Sequence, residues 1–233
     1  VSELPWPEPG AWRAACAASP LVGDGAGAEP GRPLRLVGDL LYLERYWGEE
    51  EQVRRELTDR AGLGPAVDTA RMRSALDRLF GASPGPDRQR LATAVAALRP
   101  VSVVAGGPGT GKTTTVAKLL AVLHDLHEGT GATTPLRIAL AAPTGKAAAR
   151  LTETVADRAR TLPEADRARV GTPKASTIHR LLGWLPGTGR FRHNRANRLP
   201  HDVVVVDETS MVSLTQMARL LEAVRPDARL VLV

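Results

Sequence analysis

A short glycine-rich segment constrains the fold of this chain more than any other feature. Residues Gly106 to Thr113 read GGPGTGKT and match the pattern G-x-x-x-x-G-K-[ST]. The segment follows VSVVA (Val101 to Ala105), which is typical of a buried strand, and precedes TTTVAKLLAVLHDL, which is typical of a helix. This context predicts a phosphate-binding loop, because an ordinary turn requires neither the lysine nor the hydroxyl at these offsets.

The residue types of this loop suit a bound polyphosphate. Glycines lack the Cβ that would block close approach, so backbone N–H groups converge on phosphate oxygens at a helix start. We expect Lys112 to contact the β and γ phosphates and the Thr113 hydroxyl to ligate Mg²⁺. The loop residues predicted to bind the nucleotide are Gly107, Pro108, Gly109, Thr110, Gly111, Lys112, Thr113 and Thr114.

A second element carries two acidic residues. The run VVVVDETSM places Asp207 and Glu208 directly after four valines. Such an apolar run is typical of a parallel strand covered on both faces, and open α/β sheets bind ligands at the carboxyl ends of their strands. We expect Asp207 to belong to the Mg²⁺ shell and Glu208 to orient or deprotonate the attacking water, with Lys112 as the third catalytic residue. The alternative is that both acids only begin a loop or cap a helix.

Composition limits the class of protein. With 233 residues and 43% hydrophobic content, the chain has room for one large or two small domains with a real core. No apolar run approaches the roughly 20 residues that span a bilayer, and the first residues lack the pattern of a secretory signal. The single cysteine, Cys16, excludes an internal disulfide. We expect a cytoplasmic protein that does not engage a membrane.

Positive charge is concentrated in one part of the chain. The segment from Arg137 to Pro200 holds 13 Lys and Arg residues against 4 Asp and Glu residues, whereas the whole chain has a net charge of only +6. Its densest part contains Arg190, Arg192, Arg195 and Arg198. This concentration indicates either a binding surface for a polyanion such as nucleic acid or a solvated arginine-rich face.

The sequence predicts two domains, residues 1–86 and 87–233. The first contains a probable strand pair in LRLVGDLLYLERYW and a helix in AVDTARMRSALDRLF that stops at Gly81. GASPGPD (Gly81 to Asp87) is typical of a linker. Beyond it, strands alternate with helices, which predicts an α/β fold with a parallel, doubly wound sheet flanked by helices, after a smaller, mainly helical amino-terminal domain. Predicted elements include a helix from Arg88 to Leu98, a strand in RIALAAP, a helix from Gly145 to Thr161 and a strand from Arg229 to Val233.

Two segments between the loop and the acids carry polar groups suited to nucleic acid. APTGKAAARL (Ala142 to Leu151) offers a hydroxyl, backbone N–H groups and a cation at a helix start, which suits a nucleic-acid phosphate or a simple helix cap. STIHRLLGW (Ser176 to Trp184) ends in a tryptophan that either stacks on a base or packs in the core. We interpret His179 as a structural or DNA-backbone contact and not as a catalyst.

The segments GGPGTGKTTT, APTGKAAARL, STIHRLLG and VVVVDETSM resemble, in this order, motifs I, Ia, Ib and II of superfamily 1 DNA helicases. The closest likeness is to the RecD family of superfamily 1B, the alpha subunits of exodeoxyribonuclease V. LLYLERYWGEEEQV (Leu40 to Val53) is similar to the amino-terminal domain of that family. Gln89 resembles its adenine-reading glutamine, the alternative being an exposed helix residue.

The resemblance implies a function and partners. It implies a RecA-like P-loop NTPase fold for the parallel sheet, with ATP and Mg²⁺ as cofactors. It further implies 5′-to-3′ unwinding at DNA ends in double-strand-break repair and recombination. It also implies RecB-like and RecC-like subunits, the beta and gamma chains, with nuclease chemistry in the beta partner. The residues that it assigns to single-stranded DNA are Pro143, Thr144, Lys146, Thr177 and His179.

The sequence departs from the family after motif II. The family continues into a G-D-x-x-Q motif, a second motor domain and an arginine finger, none of which precedes the last residue, Val233. Because an arginine finger is worth roughly 10³ to 10⁵ in rate, we expect the 233-residue chain to bind nucleotide weakly and hydrolyse it slowly. Two other functions stay open: a non-motor nucleotide-binding module that docks a partner, and a conjugative relaxase-helicase. The latter requires a nicking domain with a tyrosine and a histidine cluster, whereas the tyrosines here are Tyr42 and Tyr46 and the histidines are scattered.

Overall fold

The computed structural model describes residues 5–27, 31–81, 85–107 and 109–233. The chain divides into two compact units, Val1–Arg55 and Glu56–Val233. Within the described residues, no helix is both long enough and apolar enough to cross a membrane.

The amino-terminal unit combines helices with a small sheet. Its elements are α1 (Pro9–Ala18), β1 (Val22–Asp24), β2 (Leu34–Val37), β3 (Leu40–Leu43) and the first part of α2 (Glu44–Ala61). β1 pairs with β2 in parallel, and β2 pairs with β3 in antiparallel register from Leu34 opposite Leu43 to Val37 opposite Leu40. The predicted strand pair is therefore confirmed.

A buried ion pair fixes the start of α2 to this sheet. The Arg35 side chain on β2 is 3% exposed and donates from Nε and Nη2 to the two carboxylate oxygens of Glu44 at 2.6 and 2.7 Å. Its Nη1 also donates to the carbonyl oxygen of Gly25 at 3.0 Å. The hydrogen bonds from Arg35 lower the pKa of Glu44. A bidentate pair of this kind adds geometric specificity to its energy.

The second unit contains the alternating helices and strands that the sequence predicts. Its elements are α3 (Thr69–Phe80), α4 (Arg88–Leu98), β4 (Val101–Val103), α5 (Lys112–Gly129), β5 (Ile138–Ala142), α6 (Gly145–Arg160), α7 (Glu164–Val170), β6 (Ala175–Thr177), α8 (Ile178–Leu182), β7 (Trp184–Leu185), β8 (Arg190–Phe191), β9 (Val203–Val206), a 3₁₀ turn (Thr209–Met211), α9 (Leu214–Ala223) and β10 (Arg229–Leu232). α4 has the predicted bounds, and α6 ends one residue before the predicted Thr161, which caps it.

Five parallel strands form the main sheet in the order β4-β10-β9-β5-β6. The four valines of the central strand, β9, are 0% exposed, as expected of an apolar strand covered on both faces. This sheet with its flanking helices confirms the predicted α/β fold class. Because the strands are parallel, their carboxyl ends lie at one edge, which we call the carboxyl edge.

Helix α3 belongs to the core of the second unit. Its buried residues Met72, Leu76 and Leu79 lie in the same hydrophobic cluster as Leu119 and Leu120 of α5. The compact units accordingly divide after Arg55, whereas the linker composition predicts a boundary at residue 86. The physical reason is that the apolar stripe of α3 is buried against the helix that follows the phosphate loop. The functional division into residues 1–86 and 87–233 stays a prediction.

A buried ionic network ties α3, α5 and α7 together. Arg78 bridges Asp166 and Asp125, with donor–acceptor distances of 2.8 and 2.7 Å, and Arg71 adds a 2.7 Å ion pair to Asp125. Arg169 adds a 3.1 Å ion pair to Asp166, whose side chain is 0% exposed. Burial alone would raise the pKa of Asp125, but the hydrogen bonds from Arg78 and Arg71 lower it. A buried carboxylate must be paired to offset its desolvation, and Asp125 and Asp166 each have two arginine partners.

We expect Asp166→Ala to lower the free energy of unfolding by about 1.5–3 kcal/mol, because Arg78 and Arg169 lose their charged hydrogen bonds to Asp166 but keep Asp125 and Glu128. Urea denaturation monitored by circular dichroism measures this change. The matched control is Asp157→Ala, which removes an exposed partner of Arg160 on α6 and should cost less than about 1 kcal/mol. Equal small losses for both variants would contradict a stabilising role for the network.

Asp202, just before β9, joins two other parts of the second unit. Its carboxylate accepts from the backbone N of Arg137 at 2.9 Å and from Nη2 of Arg225 at 2.7 Å. Burial alone would raise the pKa of Asp202, but the hydrogen bonds from Arg137 and Arg225 lower it from 3.8 to about 2. A carboxyl with a lowered folded-state pKa stabilises the fold above its unfolded-state pKa, and that contribution is lost as the pH falls through about 2.

We expect Asp202→Asn to cost roughly 1–2 kcal/mol of unfolding free energy at pH 7, with the difference from the natural chain shrinking below about pH 4. Chemical denaturation at a series of pH values between 7 and 3 measures the difference. Asp227→Asn serves as the control, because Asp227 is an exposed partner of the same Arg225. A difference that stays constant over this pH range would show that the charge of Asp202 does not stabilise the fold.

Candidate nucleotide-binding site

A cavity of about 740 Å³ opens at the carboxyl edge of the sheet. Its lining comes from the loop after β4, the start of α5, the acidic residues after β9, one face of α6 and the end of β10. The structure thus brings together the predicted loop residues and the predicted acids, Asp207 and Glu208. The loop residues in the lining are Gly106, Gly107, Gly109, Thr110, Gly111, Lys112, Thr113 and Thr114. Pro108 lies outside the described residues.

The start of α5 offers backbone N–H groups to the cavity. Its N-cap is Gly111, which has a left-handed backbone (φ 87°, ψ 21°), and no side chain among the described residues caps this end by a hydrogen bond. Thr113 and Thr114 lie in the first turn and line the cavity. The first N–H groups of a helix lack partners within the helix, and the helix dipole favours negative charge there. This helix end is therefore suited to bind an anion.

The loop makes hydrogen bonds within itself. Nζ of Lys112 donates to the carbonyl oxygen of Gly106 and, at 3.3 Å, to that of Gly107. The hydroxyl of Thr110 donates to the Gly107 carbonyl at 2.8 Å. The Lys112 ammonium consequently lies across the loop, where phosphate oxygens would compete with these carbonyls for its protons.

Gln89, the second residue of α4, contacts the same loop. Its Nε2 donates to the carbonyl oxygen of Thr110 at 3.2 Å, and a Cβ added to Gly111 would lie only 2.2 Å from that nitrogen. Asp87 fixes the start of α4 by accepting from the backbone N of Gln89 at 2.9 Å. The structure therefore places Gln89 against the loop, and its role in reading adenine stays a prediction.

The two acidic residues have different surroundings. Asp207 is half-buried and Glu208 is exposed. Glu208 is the one non-glycine residue among those described that has a positive φ, at 56°. The chain turns there into the 3₁₀ helix, and the hydroxyl of Thr209 donates to the Val206 carbonyl at 3.1 Å. A left-handed backbone at a residue with a side chain is strained, and such strain clusters at functional sites.

Opposing effects act on the pKa of the Asp207 carboxyl group. Burial raises the pKa of its carboxyl group, and the neighbouring charge of Glu208 adds to the rise. The backbone N–H of Glu208 and the charges of Lys112 and Arg150 lower the pKa, but the net direction is upward. A bound cation would favour the ionised form, because an opposite charge nearby stabilises a carboxylate.

The oxygen donors in the cavity fit Mg²⁺. The Thr113 hydroxyl and the Asp207 carboxylate belong to residues that line the same cavity. Mg²⁺ prefers oxygen ligands and usually combines one or two protein groups with phosphate oxygens and water. Thr113 and Asp207 are thus suitable ligands, and their assignment stays a prediction.

Helix α6 contributes a wall of the cavity that the sequence did not predict. Arg150, Thr154 and Arg158 line it, each one turn after the other on the same face of the helix. The sequence did contain a signal for this face, because residues spaced by four lie on one side of a helix. Arg150 and Thr154 each directly precede a buried residue, Leu151 and Val155 respectively. The direction in which this face points depends on the packing of α6.

The residues predicted to bind DNA lie at or just after the carboxyl ends of two neighbouring strands, β5 and β6. β5 and β6 pair with Ala142 opposite Thr177, so Pro143 and Thr144 lie at the same edge as Thr177. The hydroxyl of Thr144 accepts from the backbone N of Ala147 at 3.2 Å and that of Thr177 accepts from Arg180 N at 3.1 Å. Both hydroxyls therefore act as helix caps. Lys146 is exposed in the first turn of α6, and the DNA contacts of these residues stay predictions.

His179 links α8 to α9. Gln216 Nε2 lies 3.0 Å from His179 Nδ1, and the imidazole ring is 5.8 Å from the ring of Phe191. Since a glutamine amide donates this bond, Nδ1 is the acceptor and the proton of a neutral ring lies on Nε2. His179 is thus hydrogen-bonded within the fold, and its predicted DNA-backbone contact is not tested by this arrangement.

The hairpin of β7 and β8 projects aromatic and basic side chains. Trp184 is 51% exposed, so the interpretation of this residue as part of the core is wrong. The reason is that β7 pairs only with β8 and not with the main sheet. Among the clustered arginines, Arg195 pairs with Glu56, and Arg198 donates to the Val224 carbonyl at 2.7 Å. These two arginines contribute to the fold.

Comparison with protein families identifies the nucleotide-binding part. Residues 89–233 match the family described as AAA domain, and this match covers more than half of the chain. The chain belongs to the AAA domain family. Membership agrees with the P-loop NTPase fold and implies that this AAA protein binds ATP.

Individual relatives of this AAA protein carry more specific names. It is 57% identical over 237 residues to the RecBCD enzyme subunit RecD of Mycolicibacterium smegmatis, an alignment that covers 100% of this chain and 40% of the relative. The RecBCD enzyme subunit RecD of Haemophilus influenzae is 37% identical, with 86% and 32% covered. The ATP-dependent RecD2 DNA helicase of Deinococcus radiodurans is 46% identical over 131 residues, with 56% and 15% covered.

These comparisons confirm the predicted likeness to RecD. The chain spans about 40% or less of the length of these curated relatives. The similarity to RecD of M. smegmatis includes the amino-terminal unit, whereas the AAA domain match begins at residue 89.

Two loop glycines allow a matched test of the contact between Gln89 and the loop. Gly111→Ala and Gly109→Ala both place a Cβ at a positive φ, of 87° and 76°, which costs roughly 1–2 kcal/mol. Only the Cβ at residue 111 would meet Gln89, so we expect Gly111→Ala to lower unfolding free energy and nucleotide affinity more than Gly109→Ala. Adding Gln89→Ala should remove the excess stability loss. If the two single variants behave alike, the close approach of Gln89 does not matter.

Proposed function

We propose that this chain forms part of an ATP-dependent 5′-to-3′ DNA helicase subunit of a RecBCD-type exodeoxyribonuclease V complex, acting in double-strand-break repair and recombination. The observation that carries the proposal is the cavity in which the phosphate loop, the start of α5 and the Asp207–Glu208 pair meet. Similarity to RecD over the whole chain supports the choice of this ATPase class.

Different residues of the cavity would have different roles in phosphoryl transfer. The backbone N–H groups at the start of α5 and the Lys112 ammonium would hold the phosphates, which makes positioning the main catalytic contribution. Glu208, exposed at the cavity, would orient or deprotonate the attacking water. Thr113 and Asp207 would hold Mg²⁺, which neutralises charge on the phosphate oxygens when it is bound.

The polar residues at the ends of β5 and β6 would contact single-stranded DNA. Lys146 is exposed, and Trp184 and Arg190 of the β7–β8 hairpin in the same unit are exposed as well. Lysine and arginine neutralise phosphates, and an exposed aromatic ring stacks on a base without regard to sequence. This combination supports nucleic acid, including DNA ends, as the polyanion bound by this surface.

The amino-terminal domain, predicted as residues 1–86, would dock RecB-like and RecC-like subunits. The exposed apolar side chains Leu40, Leu43 and Trp6, which are 61%, 54% and 67% exposed, support a docking role. Residues 87–233 would form the first motor domain. We place the protein in the cytoplasm, because the proposed activity needs both DNA and ATP.

Lys112→Ala and Glu208→Gln test the ATPase proposal. We expect Lys112→Ala to weaken binding of MgATP by about tenfold to hundredfold, because a charged hydrogen-bond donor to phosphate is lost. Glu208→Gln should retain binding but lower hydrolysis by roughly 10²-fold or more, because the group that acts on water is lost. Equilibrium binding of a fluorescent ATP analogue and a phosphate-release assay with and without single-stranded DNA measure both effects.

The same assay separates the proposal from the non-motor binding module. If Glu208→Gln leaves all measured properties unchanged while Lys112→Ala abolishes binding, the nucleotide is a structural ligand and the module is the better description. Rapid, Lys112-dependent turnover would instead show an ATPase and exclude the description as a module that only binds nucleotide.

A further inference from the structure

Arg150 is a cation of the cavity that belongs neither to the phosphate loop nor to the acidic segment after β9. It lies in the second turn of α6 and lines the cavity together with the phosphate loop, Asp207 and Glu208. Its guanidinium forms no hydrogen bond or ion pair with any other residue in the described part of the chain. By contrast, Arg160 on the same helix pairs with Asp157 at 2.9 Å and does not line the cavity.

We infer that Arg150 binds the terminal phosphate of a nucleoside triphosphate, reaching it from the α6 wall of the cavity. The inference rests on the proposed function and adds a second phosphate-binding cation to Lys112. A guanidinium presents several N–H donors in a planar fork that matches the oxygens of a phosphate group. Arg150 would thereby favour a triphosphate over a diphosphate.

The position of Arg150 relative to the acids supports this choice. Arg150 lines the same cavity as Lys112, Asp207 and Glu208. Arg158 lines the cavity as well, but it lies eight residues, or about 12 Å, further along α6.

Helix α6 would then contact two ligands. Its N-cap, Thr144, and its first-turn residue Lys146 lie at the edge predicted to meet DNA, and Arg150 follows Lys146 by about one turn. A rigid helix that touches DNA at its start and a phosphate one turn later connects the two sites physically. The inference thus separates Arg150 from the DNA-binding role of the remainder of the segment Ala142 to Leu151.

Equilibrium binding of two nucleotides to the full 233-residue chain tests the inference. The probes are a fluorescent ATPγS analogue and the equally labelled ADP, each with Mg²⁺. We expect Arg150→Ala to weaken triphosphate binding by about tenfold to hundredfold, the size of a lost hydrogen bond to a charged group, and ADP binding by less than about twofold. Arg150→Lys should fall between, because lysine keeps the charge but loses the fork.

Arg160→Ala is the matched control, since it removes an arginine from the same helix outside the cavity, and it should leave both affinities unchanged. Circular dichroism establishes that the variants fold, as expected for exposed side chains. Unchanged triphosphate affinity in Arg150→Ala, or an equal loss for both nucleotides, would overturn the inference.

Lys112→Ala separates failure of the inference from failure of the proposed function. Loss of binding in Lys112→Ala with unchanged affinities in Arg150→Ala leaves the ATP site in place and removes only Arg150 from it. A natural chain that binds neither nucleotide contradicts the ATP site itself, and the inference with it.

Discussion

The parallel alignment of five strands around β9 is the constraint on which the functional geometry depends. The valines of β9 are fully buried, as expected of the central strand of the sheet. Because all its neighbours are parallel, the phosphate loop, the acids and the polar residues after β5 and β6 emerge at one edge. The cavity is a consequence of this shared direction more than of any single contact.

The features that could be predicted from sequence depend on local patterns. The loop is recognisable because its glycines, lysine and hydroxyl have fixed spacing, and the strand and helix around it have distinct periods. The start of α4 follows from Asp87, whose carboxylate accepts from the backbone N–H groups of Gln89 and Arg90. The burial of β9 follows from its unbroken run of valines. Each of these conclusions needs only neighbouring residues.

The features that could not be predicted depend on packing between distant segments. That Arg150 faces the cavity follows from the rotation of α6 against α5, and the sequence spacing shows only which residues share a face. The exposure of Trp184 follows from the pairing of β7 with β8 alone. The linker composition near residue 86 suggested a boundary, yet α3 buries its apolar stripe on α5. In each case the outcome depends on how helices and strands pack together, and a local sequence pattern does not contain that information.

The position of β10 has a consequence for the order in which the protein forms. β10 lies between β4 and β9 and pairs with both, with Leu230 opposite Val101 on one side and Val204 on the other. The distance between the phosphate loop and the acids is therefore set by β10, a strand that is synthesised more than one hundred residues after the loop. Pairings of such sequence separation form slowly. During synthesis, the nascent chain has no complete nucleotide cavity until residues 229–232 are available to insert.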